Sequence, residues 1–139
     1  MKKLTVSLTT LATLAAMAAH GADLSIEVTL PPQKQGTVLA AVFDRADGFP
    51  RGKPLLTAMA QSINGKAVVQ FTGLPEGDYA VTAFLDENGN QKLDTNLFGL
   101  PTELYGFSRN ARNSVGPPPF ADAAFRLDAD ANKQAFELK

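Results

Sequence analysis

The feature that most constrains this chain is a two-residue period in short segments that are separated by turn sequences. From Asp23 to Leu30, apolar residues occupy every second position, as in a strand with one buried face. Asn64-Gly65 lies between two further apolar segments and is typical of a type I′ hairpin turn, because both residues tolerate positive φ. No convincing helical period appears after the N-terminal segment. The pattern therefore predicts an all-β fold.

The strand candidates number about seven, at 23–30, 37–43, 55–63, 66–71, 79–85, 121–127 and 133–138. Their count and spacing favour a single Greek-key sandwich, of the immunoglobulin-like or transthyretin-like kind, over residues 23–139. An even-stranded barrel is the alternative, but no feature of the sequence indicates a cavity enclosed by such a barrel. With 139 residues, 45% of them hydrophobic, the chain is long and apolar enough to bury one core.

The N-terminus has the order of a signal peptide. Met1-Lys2-Lys3 is positively charged, an apolar run follows from Leu4 to Ala19, and small residues close the segment. A membrane anchor is the other interpretation, but threonines and serines dilute the run and it is short for a membrane span. We therefore predict a signal peptide over 1–22, a mature chain that begins between Ala19 and Asp23, no later membrane span, and a periplasmic or secreted protein.

Composition excludes several function classes. The formal net charge is -1 and the pI is about 5.7, so no overall basic field indicates a nucleic-acid partner. The chain has no cysteine, and its one histidine, His20, lies in the segment that we expect to be removed. The mature chain then lacks cysteine nucleophiles, histidine triads and histidine or cysteine metal ligands, which predicts that it is not an enzyme.

A long stretch without clear periodicity, Val81 to Asn113, interrupts the strand pattern. Connections of this length are uncommon in compact domains and are usually either functional or disordered. Four aromatic residues in the stretch (Phe84, Phe98, Tyr105 and Phe107) argue against disorder. We therefore expect an ordered loop excursion that packs on the sandwich.

The excursion opens with a candidate cation loop, Asp86 to Asp94. Its oxygen-bearing side chains alternate like the first ligands of a calcium loop, at Asp86, Asn88, Asn90 and again Asp94. Gln91 and Leu97 stand where such a loop normally has glycine and glutamate, and no helices flank it. Asp122 or Glu103 would have to supply a distant carboxylate. Turn formation through the Asp and Asn side chains is thus the favoured prediction, with weak Ca²⁺ binding as the alternative and no other cofactor expected.

A second candidate surface follows, with Tyr105, Phe107, Arg109 and Arg112. Arginines beside aromatic rings bind carboxylates, phosphates or the faces of glycans. The favoured interpretation is that Arg109 and Arg112 form ion pairs with Asp86, Asp94 or Glu103 and hold this segment against the acidic one. Both interpretations place these residues on one loop surface of the sandwich.

Several separated motifs occur in a recognisable order: Phe49-Pro50, Gly73 to Val81, Asp86 to Asn90, Lys92-Leu93-Asp94, Tyr105 to Ser108, Asn110-Ala111 and Gly116-Pro117-Pro118. In this order the chain resembles an uncharacterised family of exported bacterial proteins, domain of unknown function 2141. The resemblance implies a small β-sandwich similar to transthyretin-like modules, without an established activity. Family members often have glycine where this chain has Gln91.

Two classes of function follow from these observations. The first is an exported, non-catalytic binding or accessory module whose partner is an unknown periplasmic protein, peptide or glycan. The alternative is a module that acts on cell-envelope material, either by binding calcium or as a hydrolase that uses Asp86, Asp94 or Glu103 as acid and base. The residue types of the mature chain favour the first class.

Overall fold

The computed structural model describes residues 21–129 and 131–139, and the predicted signal peptide lies almost wholly outside them. The elements are β1 (Ala22–Thr29), β2 (Thr37–Phe43), β3 (Leu56–Gln61), β4 (Lys66–Leu74), β5 (Gly77–Asp86), β6 (Tyr105–Phe107), a 3₁₀ turn (Ser108–Asn110), α1 (Phe120–Ala123), β7 (Phe125–Leu127) and β8 (Asn132–Glu137). The regular secondary structure of these residues is thus almost entirely β, as predicted. No helix of the described residues is both long and apolar enough to cross a membrane.

The strands form two sheets. Sheet 1 has the order β4-β1-β8, and sheet 2 has the order β3-β2-β5-β6 with β7 paired to the start of β5. The sheets pack through a core of alternating residues, among them Leu24, Ile26 and Val28 from β1 and Val38 and Val42 from β2. This arrangement confirms the predicted β-sandwich. One pairing is parallel, between β1 and β8.

The element boundaries differ from the predicted ones in several places. Strand β3 is shorter than 55–63, β5 is longer than 79–85, and β6 lies in the excursion, where no strand was predicted. Residues 121–127 do not form one strand, because the single-turn helix α1 precedes the three-residue strand β7. The hairpin strand β4 runs on to Leu74, beyond the predicted end at Phe71, and the chain turns at Pro75 and Glu76. Residues 21–129 and 131–139 form eight strands, against about seven expected.

Tyr79 lies at the corner where the chain turns from β4 into β5. Its ring is buried, and its hydroxyl donates a 2.7 Å hydrogen bond to the carbonyl oxygen of Pro75. Burial, with a smaller contribution from the Asp44 carboxylate, raises the pKa of Tyr79 above its usual value of 10.0. The side chain thus fixes the turn between β4 and β5.

The outer face of sheet 2 carries a second apolar cluster. Alternate residues of β5 enter the main core, and Ala80 on the opposite face packs with Phe107, Ala111 and Ala123. Phe49 joins this cluster from the loop after β2, with its ring centroid 6.1 Å from that of Phe107. Strand β5 is therefore buried on both of its faces at this end.

Strand β6 also ties sheet 2 to the end of the chain. The amide of Tyr105 donates to the Lys139 carbonyl at 3.2 Å, and the Lys139 amide donates to the Tyr105 carbonyl at 3.0 Å. Gly106 permits this approach, because a Cβ atom there would collide with the main chain of Glu137. One lateral side of the sandwich is thereby closed.

The Asn64-Gly65 turn is confirmed. Ile63 and Lys66 exchange hydrogen bonds of 2.8 and 3.1 Å, and φ is positive at both Asn64 (52°) and Gly65 (77°). The Gly65 carbonyl also accepts a 2.9 Å bond from the amide of Leu30. The turn therefore joins β3 to β4 and contacts the end of β1.

We expect Gly65→Ala to destabilise the protein by about 2 kcal/mol or more, for two reasons. An L-residue at positive φ costs roughly 1–2 kcal/mol, and the new Cβ would lie 2.7 Å from the Leu30 carbonyl oxygen. Gly89→Ala is the matched control, because Gly89 has the same φ of 77° with no atom within 4 Å of its ideal Cβ. Urea unfolding measures both variants, and equal losses of stability would contradict the steric part of the prediction.

Candidate functional site

The acidic loop, defined as residues 86–94, is built around the carboxylate that ends β5. Asp86 is buried, and its two oxygens accept main-chain hydrogen bonds from Gly89 at 2.8 Å and Gln91 at 2.9 Å. Gln91 adopts a left-handed conformation with φ of 59°, although it lacks the freedom of glycine. The Asp86 carboxylate therefore shapes the turn through its own loop.

The other three candidate ligands form a second set of bonds in the same loop. Asp94 accepts hydrogen bonds from the side-chain amides of Asn88 at 2.6 Å and Asn90 at 2.7 Å. The amide oxygens of Asn88 and Asn90 accept main-chain bonds from Asn90 and Lys92. The structure thus places all four predicted residues together, and their polar atoms bond to one another and to the loop backbone.

Glu103 holds the two ends of the acidic loop. Its side chain is buried, and its oxygens accept one bond from the Glu87 amide and one from the Asp94 amide, each 3.1 Å long. From the sequence, Glu103 was a possible distant ligand of the cation loop, but its position relative to that loop could not be predicted. Within the described residues, no group of three or more His, Cys, Asp or Glu side chains is placed to hold a metal ion. Calcium binding stays a prediction.

The segment from Tyr105 to Arg112 packs differently from the ion-paired arrangement considered above. Arg109 donates to the Ala124 carbonyl and Arg112 to the Tyr105 carbonyl, each at 3.2 Å. Neither arginine forms an ion pair with any described carboxylate, so the expected pairing with the acidic loop is wrong. Arg112 instead lies over the Tyr105 ring, 5.3 Å from its centroid, in a cation–π contact.

Ser108 is a structural residue that the sequence did not single out. Its side chain is fully buried, where Oγ accepts a 2.9 Å bond from the Val81 amide and donates a 2.6 Å bond to the Ala123 carbonyl. It therefore joins β5, the 3₁₀ turn and α1 on the outer face of sheet 2. The hydroxyl thus both accepts and donates a hydrogen bond, as expected for a buried polar side chain.

An open groove lies on this same outer face, with a volume of about 310 Å³. Its floor comes from β5 and β6 and includes Thr82, Phe84 and Tyr105. Three loops form its walls. The loop after β2 contributes Pro50 and Arg51, the loop after β5 contributes Leu93 and Gly99 to Pro101, and the segment after the 3₁₀ turn contributes Asn113, Ser114, Gly116 and Pro117. Of the predicted ligand surface, Tyr105 and Phe107 line the groove, and Arg112 contacts it through the Tyr105 ring.

The groove floor belongs to an apolar row that crosses sheet 2. Met59 pairs with Leu39, Leu39 with Phe84, and Phe84 with Tyr105, so one side chain from each of four strands lies in register. Their neighbours in β2 and β5 point into the main core. A row of this kind on an outward face is unusual for a sheet that only meets water. The row could not be recognised from the sequence, because its four residues lie on four strands that are distant along the chain.

The rim of the groove exposes large apolar side chains. Leu97 is 102% exposed and Phe98 is 88% exposed at the tip of the excursion. The tip has a defined turn, because the Asn96 side chain accepts bonds from the amides of Phe98 and Leu100. An ordered loop that presents apolar groups to water is typical of an interaction surface.

We expect Phe107→Ala to cost far more stability than Arg109→Ala or Arg112→Ala. Phe107 is buried against Phe49 and Tyr105, and loss of a buried phenylalanine costs about 3–5 kcal/mol. Each arginine is exposed and contributes no more than about 1 kcal/mol. Denaturant unfolding of the three variants provides the measurement. An arginine variant as unstable as Phe107→Ala would show that the side-chain bonds, rather than the rings, hold this segment.

Calcium at about 1 mM should raise the Tm by no more than about 2 °C, because a dissociation constant near 1 mM adds only about 0.4 kcal/mol. Both oxygens of Asp86 and both of Glu103 already accept main-chain bonds with which a cation would compete. Thermal unfolding with calcium and with a chelator measures the effect. A much larger increase in Tm would establish a calcium site instead, provided that Asp94→Asn abolishes the increase and Glu76→Gln, a control at an exposed position, does not.

Comparison with known proteins places the chain in a family without adding a chemical activity. No curated protein matches it. A solved structure with a similar arrangement is a pilus-presented adhesin, Spy0125 (Cpa), at 13% sequence identity and a TM-score of 0.33; the similarity covers 88% of this chain and 27% of the adhesin chain. The family described as "uncharacterized protein conserved in bacteria (DUF2141)" matches residues 26–135, most of the chain. The chain therefore belongs to the DUF2141 family.

Proposed function

We propose that this protein is an exported, non-catalytic binding module whose ligand or partner occupies the groove on the outer face of sheet 2. The observation that carries this proposal is the convergence of three loops over one aromatic floor, Phe84 and Tyr105. Loops that only covered the sheet would not need to leave an opening between them, whereas these three loops border a common groove. The groove volume of about 310 Å³ is at the lower end of the range of small-ligand sites.

The placement of the carboxylates supports binding over catalysis. A hydrolase of the alternative kind would need Asp86, Asp94 or Glu103 as acid and base, in contact with a substrate. Each of these carboxylates instead accepts two hydrogen bonds from the acidic loop, and no carboxylate lines the groove. The groove also lacks histidine and cysteine, so the usual activated nucleophiles are missing from it.

The rim supports a partner that extends beyond the groove. Leu97 and Phe98 stand next to Gly99 and Leu100, which form part of the wall. A peptide, a glycan chain or a protein loop that crosses the groove would cover these side chains as well. Burial of a phenylalanine and a leucine contributes about 1.5–3 kcal/mol each, which favours an extended partner over a small free molecule.

The test is an NMR-detected screen of small aromatic, glycosidic and peptide fragments with the purified protein. We expect hits that shift the ring resonances of Phe84 and Tyr105. Thr82→Trp should remove them, because the larger side chain fills the floor of the groove. The matched control is Thr72→Trp, at an exposed position of β4 in sheet 1. Hits that persist in Thr82→Trp, or the absence of any hit at these rings, would refute the proposal.

Export is the second part of the proposal, and it rests on the order of charged, apolar and small residues in 1–22. Strand β1 begins at Ala22, at the edge of the predicted cleavage region. Mass spectrometry of protein recovered from a bacterial periplasm should find an N-terminus between Ala19 and Asp23. A major species that retains Met1 would contradict export with cleavage.

A further inference from the structure

Two arginines next to the groove have no acidic partner among the described residues. Arg51 lines the groove and forms neither an ion pair nor a side-chain hydrogen bond with another described residue. Arg112 lies over the Tyr105 ring and donates to a carbonyl oxygen, so its positive charge is also uncompensated. No aspartate or glutamate lines the groove. This charge distribution is complementary to a ligand that carries carboxylates.

The remaining polar groups of the groove are neutral. Thr82 and Ser114 contribute hydroxyl groups and Asn113 contributes a side-chain amide, whose nitrogen bonds to no described residue. The groove lies on the face of sheet 2, where the main chain of β5 is paired on both sides with β2 and β6. Many extended peptides gain affinity by main-chain hydrogen bonds to a free strand edge. The groove offers no such edge. Hydroxyl and amide side chains are better matched to a ligand rich in hydroxyl groups.

The floor adds two aromatic side chains. Phe84 and Tyr105 are direct partners in the β5–β6 pairing, so their rings belong to adjacent strands on one face. An aromatic surface of this kind packs against the apolar C–H face of a sugar ring, while polar groups around it bond to the hydroxyls. The groove is open to solvent, and the exposed side chains of Leu97 and Phe98 adjoin its wall along the chain, so a ligand of more than one unit can extend beyond it.

We propose that the groove binds an acidic oligosaccharide, a chain of uronic acid units. One sugar face packs on Phe84 and Tyr105, and its carboxylate bonds to Arg51 with Arg112 nearby. This inference rests on the proposed binding function and specifies its ligand class.

The test uses the purified protein and three probes that differ in one property each. Trigalacturonic acid is the expected ligand, its fully methyl-esterified form keeps the shape and removes the charge, and tri-glutamate keeps the carboxylates and removes the sugar. Calorimetry gives the affinity, and NMR shifts of the Phe84 and Tyr105 rings give the location. We expect the acidic sugar to bind at least about tenfold more tightly than either other probe, the factor that one charge-assisted contact supplies. Its affinity should also fall as salt rises from about 0.05 to about 0.5 M.

Two arginine variants complete the test. Arg51→Gln should weaken binding of the acidic sugar about tenfold and leave the methyl ester unaffected. Arg126→Gln is the matched control, since Arg126 is an exposed arginine on β7 paired with Asp78 and outside the groove. Equal binding of the ester, equal or tighter binding of tri-glutamate, or equal effects of the two variants would overturn the inference. If the fragments of the earlier screen still shift both rings, the binding function stands and only the ligand class fails; if none does, the binding function fails too.

Discussion

The burial of β5 on both faces is the constraint on which the rest of this structure depends. One face, with Val81, Ala83 and Leu85, belongs to the core between the sheets. The other face begins with Ala80 in the outer cluster and continues through Thr82 and Phe84 on the groove floor. A strand with an apolar outer face needs cover, and here the loops after β2, β5 and β6 provide it. They cover this face of β5 fully at Ala80, near the start of the strand, and only partly at Thr82 and Phe84, which line the groove.

Hydrogen bonds to main-chain groups hold the covering loops more than charge pairing does, although Lys34 forms an ion pair with Glu87 of the acidic loop. Asp86 and Glu103 bond to loop amides, Ser108 bonds to β5 and α1, and both arginines of the 105–112 segment reach carbonyl oxygens. The bonds of Asp86, Glu103 and Ser108 are short-ranged and buried or half-buried, so salt screens them less than it screens exposed ion pairs. This leaves the arginine charges near the groove uncompensated. Because Arg51 and Arg112 form no ion pair with a described carboxylate, the surroundings of the groove carry a positive charge.

Local chemistry made the fold largely predictable and left the groove hidden. The alternation of β1 and the Asn64-Gly65 turn are encoded within a few residues, so both were predicted correctly. Helix α1 was missed because its four residues are too few to show a helical period. Tyr105 and Phe107 were identified from their proximity to arginines. Arg51 and Thr82 were not, since only tertiary pairing brings the loop after β2 beside β5 and β6.

The closure of one lateral side of the sandwich affects how this protein can associate with other chains. Beside β8, the Tyr105–Lys139 bonds and the Asn110 side chain, which accepts from the Glu137 amide, occupy the outer edge. On the opposite side, β3 and β4 end their sheets and carry the exposed apolar residues Met59 and Val68. Unpaired strand edges are templates for further β-pairing. A strand from a second molecule, in an ordered oligomer or in an aggregate, therefore finds its longest free edges at β3 and β4. Because Met59 also belongs to the apolar row, an added strand at β3 would extend the groove floor into a neighbouring molecule.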